Sequence, residues 1–100
     1  MLLLEPGNTN ILTAGEPYKW LMSLREYDKQ HNMNNYDVLY KYLVYERHAA
    51  MTAEATSMSR SNLVYRIGRI KEMLGVDFDD YHIRMKLIIT YEMMKVIEGL

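Results

Sequence analysis

From Tyr18 onward the apolar positions recur at three- and four-residue spacings and nowhere alternate as a half-buried strand would, which predicts an all-α domain of about five helices. The first helix carries Trp20, Leu21, Leu24, Tyr27 and His31 and is broken by the Asn-rich run His31 to Asn35. Asn34 or Asn35 is the expected cap of a second helix, in which Tyr36, Leu39, Tyr40 and Leu43 form one face and which is expected to end near His48. Thr52 is the expected N-cap of a short third helix, Ser57 lies in the turn after it, and Ser59 caps a fourth. Gly75 follows the last buried leucine of that fourth helix, as a left-handed C-cap does, and Val76 and Phe78 fold back onto the core. A fifth helix is predicted from Asp79 or Asp80 to Glu98, before Gly99.

The stretch from Thr52 to Gly75 has the spacing of two helices joined by a tight turn, the arrangement of a Fis-like helix-turn-helix. Ala53 is small where the two helices must approach closely, and Met58 can plug the turn. In the fourth helix Leu63, Ile67, Ile70 and Leu74 make a buried stripe. At about 100° per residue the opposite side holds Ser61, Tyr65 and Gly68, with Arg69 nearby. Arg60, Arg66, Arg69 and Lys71 follow one another with no acidic residue between Arg60 and Lys71, so this helix is suited to face a polyanion. Residues 1–17 are dense in turn formers, among them Pro6-Gly7 and Gly15-Glu16-Pro17, and are read as a linker or arm preceding a domain over residues 18–100.

Several short runs resemble one family, the C-terminal DNA-binding domain of PucR-type transcriptional regulators, which also includes CdaR-like sugar-diacid regulators. They are LREYDKQHN around Tyr27 and Asp28, LYKYLVYERHAAMTAEA, SRSNLVYRIGRIKEMLGVDFDD and IRMKLIITYEMM. The family run at the start of the recognition helix is His-Arg-Asn-Thr, then Leu, any residue, and Tyr-Arg with an aliphatic. Arg60, Leu63, Tyr65, Arg66 and Ile67 fit it, whereas Ser59, Ser61 and Asn62 depart from it. The resemblance covers roughly residues 18 to 98. It implies a sequence-specific double-stranded-DNA-binding output domain of a bacterial regulator, and an N-terminal sensory region ahead of the domain, to which residues 1–17 would lead.

Composition narrows this picture. A hundred residues, 49% hydrophobic and 25% charged, suffice for one globular domain with a modest core. The formal net charge is −1, so attraction to phosphate must come from local asymmetry, with Glu46, Glu54, Asp77, Asp79 and Asp80 gathered outside the basic helix. There is no cysteine, hence no disulfide framework and no thiolate metal site. The opening Met1-Leu2-Leu3-Leu4 is too short for a secretory core, and no apolar run nears the ~20 residues of a membrane span. A cytoplasmic protein is expected.

Site residues follow from the basic helix. Arg60 and Arg66 flank its outward surface on opposite sides and, with Arg69 and Lys71, are expected to contact phosphates. Ser59, Ser61 and Asn62 on its first turn are expected to meet base edges, and Tyr65 to offer its hydroxyl to phosphate or its ring to a neighbouring helix. Gly68 costs about 1 kcal/mol relative to Ala inside a helix and either leaves room for a close DNA backbone or simply stands at an exposed position that tolerates glycine. His31, His48 and His82 fall on different predicted elements without ligand spacing, so no metal or cofactor is expected. No nucleophile stands beside a base, and enzymatic activity would require a pocket bringing His48 or His82 against a carboxylate. Most of the nine tyrosines and nine methionines sit at core spacing. The last helix carries two apolar stripes, Ile83, Leu87, Tyr91 and Met94, and Met85, Ile89, Met93 and Val96. A small domain can bury only one. The second is the expected interface with a symmetry-related copy, making a homodimer, or with the sensory region. The competing reading is a helical dimerisation or protein-interaction module that no longer reads DNA.

Overall fold

A computed structural model describes residues 15–99. It contains five helices, α1 (Glu16–His31), α2 (Asn35–Val44), α3 (Ala49–Ala55), α4 (Arg60–Leu74) and α5 (Tyr81–Glu98), and no strand among the described residues. The helix starts and stops follow local chemistry. α1 begins at Glu16, two residues before the expected start, because Pro17 has no N–H to satisfy and fits the first turn of a helix. The remainder of the predicted arm, residues 1–14, lies outside the described residues. Asn32 ends α1 in the left-handed conformation, its N–H bonded to the Asp28 carbonyl.

Asn34 holds the N-cap position of α2, but its side chain makes no capping bond there. The cap comes from α1: Asp28 Oδ2 accepts the Tyr36 N–H at 2.8 Å. α2 stops at Val44 rather than near His48. Glu46 and Arg47 both take positive φ, and the Arg47 N–H turns back to the Tyr42 carbonyl at 2.8 Å, which closes the helix without a glycine. Arg47 is held in that turn by an ion pair with Asp79 at 2.8 Å. The cap of α3 is His48, whose Nδ1 accepts the Met51 N–H at 3.2 Å, and not Thr52. Thr52 is a fully buried residue within α3 and returns its hydroxyl to the His48 carbonyl at 2.8 Å, the way threonine satisfies itself inside a helix.

Ser59, Gly75 and Asp80 behave as the sequence predicts. Ser59 Oγ accepts the Asn62 N–H, Gly75 closes α4 with φ 67°, and Asp80 Oδ1 caps α5 through His82 and Ile83.

The core lies where α2 meets the other helices, since α2 packs against all four of them. Val38, Leu39 and Leu43 from α2 join Leu21 and Leu24 of α1, Ala53 of α3, Leu63, Ile67 and Ile70 of α4, and Leu87, Tyr91 and Met94 of α5. Phe78 folds back from the α4–α5 loop into the same core, with Val76 packed at its edge.

α5 is fastened to α1 and α2 by polar contacts around this core. Tyr91, 1% exposed, donates to the Tyr36 carbonyl at 2.7 Å, and burial pushes its phenol well above the ordinary range so that it remains a donor. The Tyr40 hydroxyl donates to Glu92 at 2.7 Å and accepts from Lys95 at 2.6 Å, and these bonds hold the carboxyl below and the ammonium above their ordinary ranges. Arg25 grips both carboxylate oxygens of Glu98 while lying over the Tyr36 ring.

The buried Tyr91 bond gives a direct test. Tyr91→Phe removes the hydroxyl without changing the ring packing and is expected to cost about 1 kcal/mol, or roughly 4 to 8 °C in Tm for a domain of this size. Thermal denaturation followed by circular dichroism reads it. An unchanged Tm would show that the α5–α2 bond contributes nothing.

Candidate nucleic-acid interface

The segment from α3 to α4 is built as a tight helix-turn-helix. Ala53 is buried, so the two helices close on a methyl group. Ser57 turns the chain with φ 56°, and the Met58 N–H bonds the Ala53 carbonyl at 2.9 Å while its side chain packs on the core. Thr56 Oγ1 bonds back to the Thr52 carbonyl at 2.7 Å and closes the end of α3. The turn is therefore satisfied by its own backbone and hydroxyls, and α4 leaves it in a fixed direction.

α4 presents its two sides very differently. Leu63, Ile67 and Ile70 are buried and Leu74 is half-buried, as the predicted stripe requires. Ser61, Tyr65 and Gly68 stand opposite, with Val64 on the flank beside Gly68, and all four are exposed, Tyr65 at 71% and Val64 at 57%. Val64 is not among the residues that charge and face periodicity point to. A signal existed, since a β-branched apolar residue at an outward helix position serves neither the core nor helix propensity.

The basic residues are placed unequally. Arg60 is exposed at the first position of α4 and has no partner among the described residues. It lies at the positive end of the helix dipole, where α1 and α2 carry Glu16 and Asp37 in their first turns and α5 is capped by Asp80. A cation at that end is unfavourable for the helix and favourable for an approaching anion. Arg66 is half-buried and donates to Asn34 Oδ1 at 2.9 Å, which braces α4 against the α1–α2 turn.

Arg69 pairs with Glu72 at 3.3 Å and Lys71 with Asp77 at 3.9 Å. Both pairs are exposed and of the kind worth less than about 1 kcal/mol, so phosphate can displace the carboxylates. On the first turn, the Ser59 hydroxyl oxygen is engaged in the cap, while the side chains of Ser61 and Asn62 are exposed. Tyr65, Arg66 and Arg69 also line a recess of about 90 Å³ between α4 and the start of α2, where the buried Asn35 Oδ1 has no protein partner.

The remaining candidate chemistry takes structural roles. His31 Nδ1 lies 3.0 Å from the Tyr27 carbonyl with its ring stacked on Tyr27, and His82 sits edge-on to Tyr81. Glu46 and His48 line one shallow surface recess at the α2–α3 turn, but the histidine's Nδ1 is engaged in capping α3. No group of three or more His, Asp or Glu side chains suited to a metal ion occurs among the described residues. No described helix is long and apolar enough to cross a membrane.

The same helix-turn-helix emerges from comparison with known families. Residues 36–93, more than half of the chain, match the PucR C-terminal helix-turn-helix domain. The chain belongs to that family. No curated protein and no solved structure matches it significantly. The match starts at the second residue of α2 and ends within α5, so the PucR-type domain comprises the helix-turn-helix and the helices that hold it, and α1 lies outside the matched span.

Gly68 separates packing from function in this PucR-type domain. A Cβ built there meets nothing within 4 Å, and the glycine lacks the positive φ that would exclude alanine. Gly68→Ala is therefore expected to stabilise the fold by about 1 kcal/mol, seen as a raised denaturation midpoint. A lowered midpoint would mean that the glycine serves the fold after all.

Proposed function

We propose that this domain is the sequence-specific DNA-binding output of a bacterial transcriptional regulator, acting in the cytoplasm by laying α4 in the major groove. One observation carries this reading: α4 is pinned by a buried stripe while its opposite face and basic N-terminal turn stand free, with no acidic residue before Glu72. Arg60 and Lys71 on one side of the helix and Arg66 and Arg69 on the other grip phosphate. Ser61 and Asn62 meet base edges, with Ser59 fixing the first turn and offering its hydroxyl hydrogen, and Tyr65 adds a phenol from the exposed face. The binding is non-catalytic.

A titration against duplex DNA tests the reading. With ~3 to 4 phosphate contacts, log K against log salt should slope by about −2.7 to −3.6. Arg60→Ala should weaken operator and random DNA alike, whereas Asn62→Ala should change preference at particular base pairs by about 1 to 3 kcal/mol. Failure to bind even selected duplexes at low salt would favour a protein-interaction module. The pairing of Arg66, Arg69 and Lys71 with groups of this chain is the observation that supports that second reading.

The reading includes a homodimer. Ile83, Leu87, Tyr91 and Met94 of α5 face the core, leaving Met85, Ile89 and Val96 exposed and Met93 half-buried along a second stripe. Two copies joined there by a two-fold axis would set their α4 helices for half-sites about 34 Å apart. Sedimentation of the wild type is expected to give a dimer that Ile89→Glu with Met93→Glu abolishes. A monomer in both cases removes the dimer and assigns the stripe to a sensory region joined through the N-terminal arm.

A further inference from the structure

The outward row of α4 has an unusual composition for a helix on the surface of a charged domain. Ser61, Tyr65 and Gly68 on the outward face and Val64 on its flank carry no charge, between Arg60 at the start of the helix and Lys71 and Glu72 beyond them. Val64 and Gly68 are one turn apart and are both weak helix formers at solvent-facing positions. Packing within the chain explains neither: Val64 is 57% exposed, and the space over Gly68 is empty to 4 Å.

Together they make an apolar knob beside a bare strip of backbone. Valine is short, so it reaches a ligand only if the helix itself comes close, and a glycine on the same face permits that approach.

The edge of a base pair in the major groove offers hydrogen-bond donors and acceptors and one apolar group, the C5-methyl of thymine. The row on α4 offers two hydroxyls, from Ser61 and Tyr65, and one aliphatic group, from Val64. Resting on the DNA-binding reading above, we propose that Val64 is a specificity-determining residue that recognises the C5-methyl group of a thymine in the operator, with Gly68 allowing α4 to approach closely enough for the contact. A charged or longer side chain at residue 64 would hold the helix away from the base, and one at residue 68 would do the same one turn later.

The test removes the methyl from the DNA. An operator is first selected from a random duplex library with this chain. Each thymine in it is then replaced in turn by deoxyuridine, which keeps the base pair and deletes only the methyl.

The wild-type protein is expected to lose about three- to fivefold in affinity at one or two positions, the worth of one buried methyl group. Val64→Ala is expected to bind the thymine operator correspondingly more weakly and to show no further loss on the uracil substitution at those positions. Because residue 64 is exposed and alanine favours helix, this variant keeps the fold.

A wild type indifferent to every thymine-to-uracil change, or a loss that persists undiminished in Val64→Ala, overturns the assignment while leaving DNA binding intact. A selected operator with no thymine preference overturns it as well. No binding to any duplex at low salt overturns both this inference and the DNA-binding reading beneath it.

Discussion

Everything in this domain is positioned by the burial of one ten-residue helix. α2 touches each of the other four helices, and its Val38, Leu39 and Leu43 supply the centre of the core. So short a helix is unstable in isolation, and its N-terminus is fixed from outside: Asp28 caps it from α1, and Tyr91 of α5 bonds the Tyr36 carbonyl. The consequence reaches α4, whose Leu63 and Ile70 are fully buried in the same core and whose Arg66 is tied to Asn34 at the α1–α2 turn. The direction in which the exposed face of α4 points is thus a property of the core.

The electrostatics show how a chain of net charge −1 can present a basic face. The sign is arranged along α4 rather than over the molecule. Its first turn has Arg60 and no acid, whereas at its far end Arg69 pairs with Glu72 and Lys71 with Asp77 of the following loop. Such exposed pairs hold the cations in place at little energetic cost and release them to a stronger anion. Acidic groups at Glu46, Asp79 and Asp80 lie on other elements, so the field favours approach to α4 by its N-terminal half.

The elements legible in the sequence were those whose signals are local. α4 was delimited by a serine cap, an apolar stripe and a terminal glycine, all within its own residues. The end of α2 was misread because Glu46 and Arg47 adopt left-handed backbone without glycine, in a turn tied by Arg47 to Asp79, 32 residues away. Thr52 was misread because a threonine that caps and a threonine that bonds its own helix look alike until burial is known. The same division holds at the site. Which face of α4 is outward followed from periodicity, whereas the bond of Arg66 to Asn34 depends on a long-range approach. Val64 carries a local signal, an exposed β-branched apolar residue on a helix, that charge does not reveal.

α5 and α4 meet through the start of α2. α5 packs on α1 and α2, and its Tyr91 ends on the Tyr36 carbonyl, two residues beyond the Asn34 that holds Arg66. Tyr36 also receives Arg25 over its ring, and Arg25 is held by Glu98 near the end of α5. A shift of α5 along its axis would therefore strain the α1–α2 junction before it reached the recognition helix. In a rigid core such contacts have few intermediate positions, so a displacement of α5 is felt first at the start of α2. Contacts from α1, α4 and α5 therefore converge on residues 34–36, where Asp28 caps α2, Arg66 bonds Asn34 and Tyr91 bonds the Tyr36 carbonyl.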